Sequence, residues 1–252
     1  MIDRPAFLEL LLRLGDDCLV LGHRVSEWCG HAPMLEEDLS LPNMALDLIG
    51  QARTLYTLAG EVEGKGRSED DLAYLRADRE YRNLLLVERP NGDFAHTMLR
   101  QLYYAAFMEP YWRETIASSD AALAGIAGKA VKEIGYHVRH AGEWVIRLGD
   151  GTEESARRMA AAVEALHPYT GELFVVDAVT TAMAAAGIAP DPGSLRAEWE
   201  VTIDTIFAEA GLQRPEVAYP QHGGREGRHG EEFGFLLAEL QYMQRAYPAM
   251  TW

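Results

Sequence analysis

The sequence predicts an all-α protein, and two of its features favour that fold class. In long segments, apolar residues recur every three or four positions, which is the spacing of a helix that buries one side. Short groups rich in Gly, Pro, Asn and Asp separate these segments, and none alternates apolar and polar residues as a half-buried strand does. The elements are therefore expected to be helices joined by short turns.

The first two predicted helices, residues 5–29 and 36–63, form a hairpin. The first of them is apolar on two sides, so we expect it to pack against neighbours on both. Residues 30–33 contain Gly and Pro and break the pattern only briefly. A short break between two long helices makes them antiparallel neighbours.

A second pair of long helices is predicted over residues 93–118 and 120–148, after a turn at residues 90–93. Asp93 is the expected N-cap of the third long helix. Between the two hairpins, residues 69–87 are predicted to form an accessory helix. Further accessory helices fill residues 153–247, at about 153–166, 171–186, 192–210 and 231–246, with a loop at 213–230.

Two long hairpins match the core of ferritin-like carboxylate proteins. In those proteins two helices each supply one Glu to a pair of metal ions, and the other two each supply Glu-x-x-His. We therefore predict one ferritin-like domain over residues 1–252, with a four-helix bundle core and additional C-terminal helices.

Charge and composition exclude several function classes. Acidic residues outnumber basic ones by 39 to 23, a net charge of −16, which disfavours binding to nucleic acid or anionic lipid. No apolar run approaches a membrane span, and the first residues lack the pattern of a signal peptide, so we expect a cytoplasmic protein. Cys18 and Cys29 are too far apart within one helix for a disulfide and are expected to be buried, reduced thiols. Motifs of hydrolases and nucleotide-binding loops are absent from the sequence.

Several stretches along the whole chain resemble the ferritin-like subunits of bacterial phenylacetyl-CoA epoxidase, most closely the non-catalytic, structural subunit. They are residues 13–21, 27–33, 46–53, 83–92, 132–133 with 136–137, 195–200 and 240–245. This enzyme family converts the aromatic ring of phenylacetyl-CoA to its 1,2-epoxide. The resemblance implies the same fold as the helical pattern does, and it adds an expected function.

The resemblance also identifies the positions where a diiron subunit would carry its two Glu-x-x-His motifs. In this chain they read Leu48-x-x-Gln51 and Ile134-x-x-His137. Both glutamates are replaced by aliphatic residues and one histidine by an amide. We therefore expect a vestigial site, with no metal, no cofactor and no catalytic residue in this chain.

By resemblance, the chain is expected to support a homologous diiron catalytic subunit in a hetero-oligomer. That partner would activate O2 with electrons from NADPH, delivered through a reductase subunit. A homodimer in the absence of the partner is a further expectation. Two other functions stay open: a diiron oxygenase with a displaced ligand set, drawn from Asp17, Asp47, Glu109, Glu133 and His137, and a helical binding module with no oxygenase partner.

The same residues have simpler interpretations. His137 is expected to be a core histidine held by Glu133, four residues earlier on the same helix. Asp17 is either a buried acid or the partner of Arg13 or Arg24.

Other polar side chains allow two interpretations each. Glu109 is either a residual core carboxylate or part of a solvated face. The seam of Asn43, Asp47, Gln51 and Thr54 is either a hydrogen-bonded network in place of metal ligands or an exposed edge.

Outside the bundle centre, Arg76, Arg79 and Arg82 recur every third residue. Such a stripe could bind carboxylates of a partner subunit or the phosphates of coenzyme A, or it could be solvated. His222 and His229 lie in the predicted loop without the spacing of a zinc site, and we assign them to turns or contacts.

Overall fold

A computed structural model describes residues 2–248 and residue 250 and confirms the all-α prediction, since those residues contain no strand. The helices are α1 Arg4–Ser26, α2 Leu35–Glu63, α3 Glu69–Tyr74, α4 Leu85–Glu88, α5 Phe94–Thr115, α6 Ala121–Gly149, α7 Glu153–Leu166, α8 Ala178–Ala185, α9 Arg196–Glu209, α10 Glu231–Leu240 and α11 Tyr242–Ala246. Short 3₁₀ turns occur at Asp78–Glu80, His167–Phe174, Pro192–Leu195 and Gly224–Glu226.

The four long helices form the predicted ferritin-like bundle. Helix α1 packs along α2, α5 packs along α6, and the two hairpins meet where α2 packs against α6. Side-chain caps begin the second hairpin: Asp93 accepts from the backbone N–H of His96 at 3.0 Å, and Asp120 from that of Leu123 at 2.9 Å. These caps satisfy N–H groups that the first helical turn leaves without partners.

Helix α1 is enclosed on all sides over its central part. Every residue from 13 to 22 is buried, whatever direction it faces. This agrees with the two apolar sides in its sequence, because neighbours cover α1 all round. It also means that the charged side chains in this stretch need partners inside the protein.

The predicted helix over residues 69–87 is wrong. The chain forms only α3, one 3₁₀ turn and the four-residue α4, and the backbone is extended at Tyr81 and Leu84. The cause lies on α1. The N–H of Arg82 donates to Asp16 at 2.6 Å, and the N–H of Leu84 donates to Asp17 at 2.7 Å. These N–H groups are bound by carboxylates of α1 and not by the preceding turn of a helix.

Arg76 is held inside this arrangement. Its guanidinium bonds both oxygens of Asp16, with Nη1 to Oδ2 at 3.1 Å, and it lies over the ring of Tyr81 with 4.2 Å to the centroid. Tyr56 also donates to Asp16, at 2.5 Å. Only 2% of Arg76 is exposed, so the structure contradicts its assignment to partner or coenzyme A contacts.

Asp17 is the buried acid that one interpretation anticipated, but neither Arg13 nor Arg24 is its partner. Arg225, in the loop before α10, donates to both of its oxygens, at 3.1 and 2.7 Å. The side chain of Asp17 has no exposed surface and that of Arg225 is 19% exposed. Arg13 instead pairs with Glu9 and Asp177, and Arg24 with Glu27.

The loop that carries Arg225 approaches the extended segment closely. A Cβ on Gly224 would lie 2.1 Å from the carbonyl oxygen of Asn83, so only glycine fits there. Glu172 accepts from three backbone N–H groups at 2.8 Å, those of Leu85, Gly223 and Gly224. Buried carboxylates therefore fasten this loop to the bundle.

Two further accessory helices differ from their predicted form. The predicted helix 171–186 is a 3₁₀ segment followed by α8. Asp177 is the N-cap of α8, since its side chain accepts from the N–H of Thr180 at 3.0 Å, and a new helix therefore starts there. The predicted helix 231–246 breaks at Gln241, whose side chain donates to the carbonyl of Arg76 at 2.9 Å. Each break follows from a specific polar contact.

The cysteine prediction is half right: both thiols are free, and Cys18 is buried, but Cys29 is exposed because α1 ends at Ser26. None of the helices in the described part of the chain is long and apolar enough to cross a membrane.

Replacing Arg225 by Met tests the buried ion pair. Asp17 would be left buried without a counter-charge, and loss of one partner of such a pair typically costs about 3–5 kcal/mol. We expect that decrease in the free energy of unfolding, measured by urea denaturation. The control is Arg228→Met, whose side chain is 65% exposed; it should change stability by less than about 0.5 kcal/mol. Equal stability of the two variants would contradict the assigned role of Arg225.

The same carboxyl group predicts a pH dependence. Burial raises the pKa of Asp17 to about 6, although Arg225 opposes the rise. Because the folded protein then binds this proton more tightly than the unfolded chain, the group favours folding in acid, and that contribution disappears as the pH rises from about 4 to about 6. Relative to Asp17→Asn, the wild-type chain should lose about 3 kcal/mol of stability over this range. Parallel stability profiles for the two proteins would show that another group is responsible.

Candidate functional site

The four positions expected to be vestigial lie on two helices that pack together at the bundle centre. Leu48 and Gln51 are on α2, and Ile134 and His137 are on α6. Spacing of three residues puts each pair on one side of its helix. Leu48, Ile134 and His137 have no exposed surface, and Gln51 is 3% exposed. The bundle interior therefore has hydrocarbon at two of these positions.

His137 is held by two neighbouring helices, and its predicted partner Glu133 is not among its described hydrogen-bond partners. Its Nδ1 lies 3.0 Å from Nε2 of Gln101 on α5, and its Nε2 lies 3.2 Å from Oδ2 of Asp47 on α2. An amide nitrogen can only donate, so Nδ1 accepts and the ring proton is on Nε2, directed at Asp47. Both ring nitrogens are thus engaged within the protein.

Gln51 organises the other half of the centre. Its Nε2 donates to Oε2 of Glu133 at 2.9 Å, and its Oε1 lies 3.7 Å from the thiol of Cys18 on α1. Tyr104 of α5 lies 3.6 Å from the same thiol. Burial raises the pKa of Cys18 to about 12, so the group is a neutral thiol. A chain of hydrogen bonds thereby joins all four core helices.

Part of the predicted polar seam belongs to this centre. Asp47 and Gln51 contribute to it, whereas Asn43 and Thr54 are exposed, and Thr54 bonds carbonyls of its own helix. Glu109 is half-buried on α5 beside Gly135, where a Cβ would lie 3.5 Å from its Oε1. The described hydrogen bonds of the centre do not include Glu109.

The side chains do not fit a pair of iron ions. Such a site needs carboxylates where Leu48 and Ile134 supply only methyl groups. Glu133 lies 3.2 Å from Lys129, and Asp17 is bound to Arg225. Among the described residues, no three His, Cys, Asp or Glu side chains converge in an arrangement that could hold a metal ion. The arrangement can hold the helices in register.

The sequence did not identify Cys18, Gln101 and Tyr104 as members of the centre. Gln101 could have been found, since it is a polar residue in a stretch of α5 that is buried from residue 97 to 108. Cys18 and Tyr104 gave no such signal, because both are common in apolar cores.

The remaining predicted residues lie outside the bundle centre. Arg79 is exposed, and Arg82 is partly buried with its Nε 3.4 Å from Glu9. With Arg76 turned inward, the three arginines do not form one surface stripe. His222 is exposed, and His229 lies 2.7 Å from Glu88 with only 5% of its side chain exposed, so it makes a buried contact.

Gln101→Leu tests the hydrogen bond to His137. It removes the donor and leaves a buried nitrogen unpaired, which should lower the free energy of unfolding by about 1–2 kcal/mol. The double variant Gln101→Leu/His137→Leu should recover part of that loss, because replacing both partners by apolar groups is nearly neutral. Chemical denaturation of the variants gives the coupling energy; a value of zero would show that the contact adds nothing.

Comparison with known proteins agrees with the resemblance seen in the sequence. The family model described as Phenylacetic acid catabolic protein matches residues 2–252. The chain is 46% identical over 241 residues to one of the subunits of the 1,2-phenylacetyl-CoA epoxidase of Escherichia coli (strain K12). That alignment covers 96% of this chain and 97% of the relative. The chain therefore belongs to the phenylacetic acid catabolic protein family.

Proposed function

We propose that this chain is the structural subunit of an oxygenase complex that epoxidises the ring of phenylacetyl-CoA. A homologous diiron subunit performs the reaction in this proposal. The observation that carries it is a pair of aliphatic side chains at the bundle centre: Leu48 and Ile134 are fully buried where, by family resemblance, a diiron subunit has glutamates. The likeness to a subunit of the Escherichia coli epoxidase supports the substrate class.

In this role the chain contributes a rigid helical body. The hydrogen bonds of Gln51 and His137 join the core helices without a metal. The ion pairs of α1 fasten the accessory segments to the same bundle. The partner supplies the diiron centre, and a reductase supplies electrons from NADPH for its reaction with O2.

Coexpression with the diiron and reductase subunits tests this function. We expect a stable complex that turns over phenylacetyl-CoA and in which the iron belongs to the diiron partner. The variants His137→Gln and Glu133→Gln should leave kcat of the folded complex within about twofold, because these residues bind no reacting group. The matched comparison is the same type of substitution at a metal ligand of the partner, which should abolish turnover.

Two results would contradict the proposal. Two irons per chain in this protein, purified alone after growth with iron, together with a large loss of kcat in the His137 variant, would establish the alternative of a displaced diiron site. Failure to recover a complex with the diiron subunit would favour an independent binding module.

A further inference from the structure

The outer side of α2 carries exposed leucines that its own fold does not use. Leu35, Leu39 and Leu46 are 71%, 62% and 65% exposed. Steps of four and seven residues place them on one side of the helix, opposite the buried residues. Exposed leucines aligned in this way mark an interaction surface more often than isolated ones do.

Helix α6 continues this surface. The hydroxyl of Tyr136, a residue that is 39% exposed, lies 3.1 Å from that of Ser40 on α2, so the two outer sides adjoin. Gly125 and Gly128 of α6 and Gly50 of α2 are mid-helix glycines, and a Cβ at each would meet nothing within 4 Å. Glycine weakens a helix interior, and its lack of a side chain lets another backbone approach closely.

The charge of α6 differs from that of the whole chain. The protein carries a net charge of −16 and has only three lysines, yet two of them, Lys129 and Lys132, are on α6. Both are exposed, as is Arg139, whose guanidinium lies 5.4 Å from the centroid of the Tyr136 ring. Over Ala121–Gly149, the sequence has four Lys and Arg residues and two Glu residues. A basic border therefore runs beside the apolar surface.

These charges indicate which kind of partner binds the α2 and α6 surface. If a second copy bound through the same surface by twofold symmetry, the basic borders of both copies would lie in one interface. Pairing of this surface with a different surface of the same chain is heterologous and leads to rings or open filaments. A different chain with acidic side chains on its contacting helices satisfies both the apolar area and the basic border.

We propose that the α2/α6 outer face binds an acidic helical surface of the diiron subunit. The face consists of Leu35, Leu39, Leu46, Tyr136, Lys129, Lys132 and Arg139. This inference rests on the proposed function, since it names the surface through which the structural subunit meets its partner. The glycines lie where the partner helices approach, and the lysines border the contact.

The experiment measures the Kd between the purified full chain and the purified diiron subunit by titration calorimetry. Leu39→Glu/Leu46→Glu should weaken binding by about 100-fold, because apolar contacts at the centre of an interface dominate affinity. Lys132→Glu/Arg139→Glu should weaken it by about tenfold, with a smaller loss at high salt. Gly128→Leu should also weaken binding, because its side chain would occupy the space into which the partner helix packs. It should leave the unfolding temperature of the free chain unchanged or raise it, because leucine favours a helix more than glycine does.

The matched controls are Val201→Glu on α9 and Phe235→Glu on α10, which are 67% and 66% exposed. They should leave Kd within about twofold, since exposed residues outside the interface contribute little. If Phe235→Glu abolishes binding and the α2 variants do not, the inference is overturned and the proposed function stands. If the wild-type chain does not bind the diiron subunit, the inferred face and the proposed function are both wrong. A homodimer that Leu39→Glu/Leu46→Glu dissociates would show that a second copy occupies the face.

Discussion

Two adjacent carboxylates on α1, Asp16 and Asp17, hold the parts of the structure outside the bundle. Consecutive helical residues point about 100° apart, so the two side chains reach different segments. Asp16 binds Arg76 and the backbone of Arg82, while Asp17 binds the backbone of Leu84 and the side chain of Arg225. These two buried carboxylates therefore bind the extended segment and the loop before α10 to the bundle, at a place where water cannot replace the contacts.

The next residue of α1, Cys18, faces the bundle centre, where its thiol lies within hydrogen-bond reach of Gln51 on α2 and Tyr104 on α5. An amide, a thiol and a phenol make weak, neutral contacts, and aliphatic side chains fill the space between them. Asp16 and Asp17 of α1 thus bind the accessory segments, and the next residue, Cys18, contacts the bundle core.

Local sequence patterns predicted the long helices because apolar period, caps and turns are local properties. They failed over residues 69–87, where apolar residues recur at helical spacing but carboxylates about 66 residues earlier hold the backbone in an extended form. The vestigial positions were identified by resemblance and lie at the bundle centre, but the partner of His137 was sought four residues away, whereas its contacts lie on two other helices. Contacts between distant segments leave no periodic signal.

The pairing of Asp17 with Arg225 joins residues 208 positions apart. During synthesis, α1 leaves the ribosome with a charge that finds its partner only after a further 208 residues have been made. Until then the carboxyl group is either solvated or protonated, and the N-terminal hairpin cannot close around it at full stability. The order of translation therefore delays completion of this fold until the loop before α10 has been made. A chain truncated before Arg225 would retain an unpaired acid in α1.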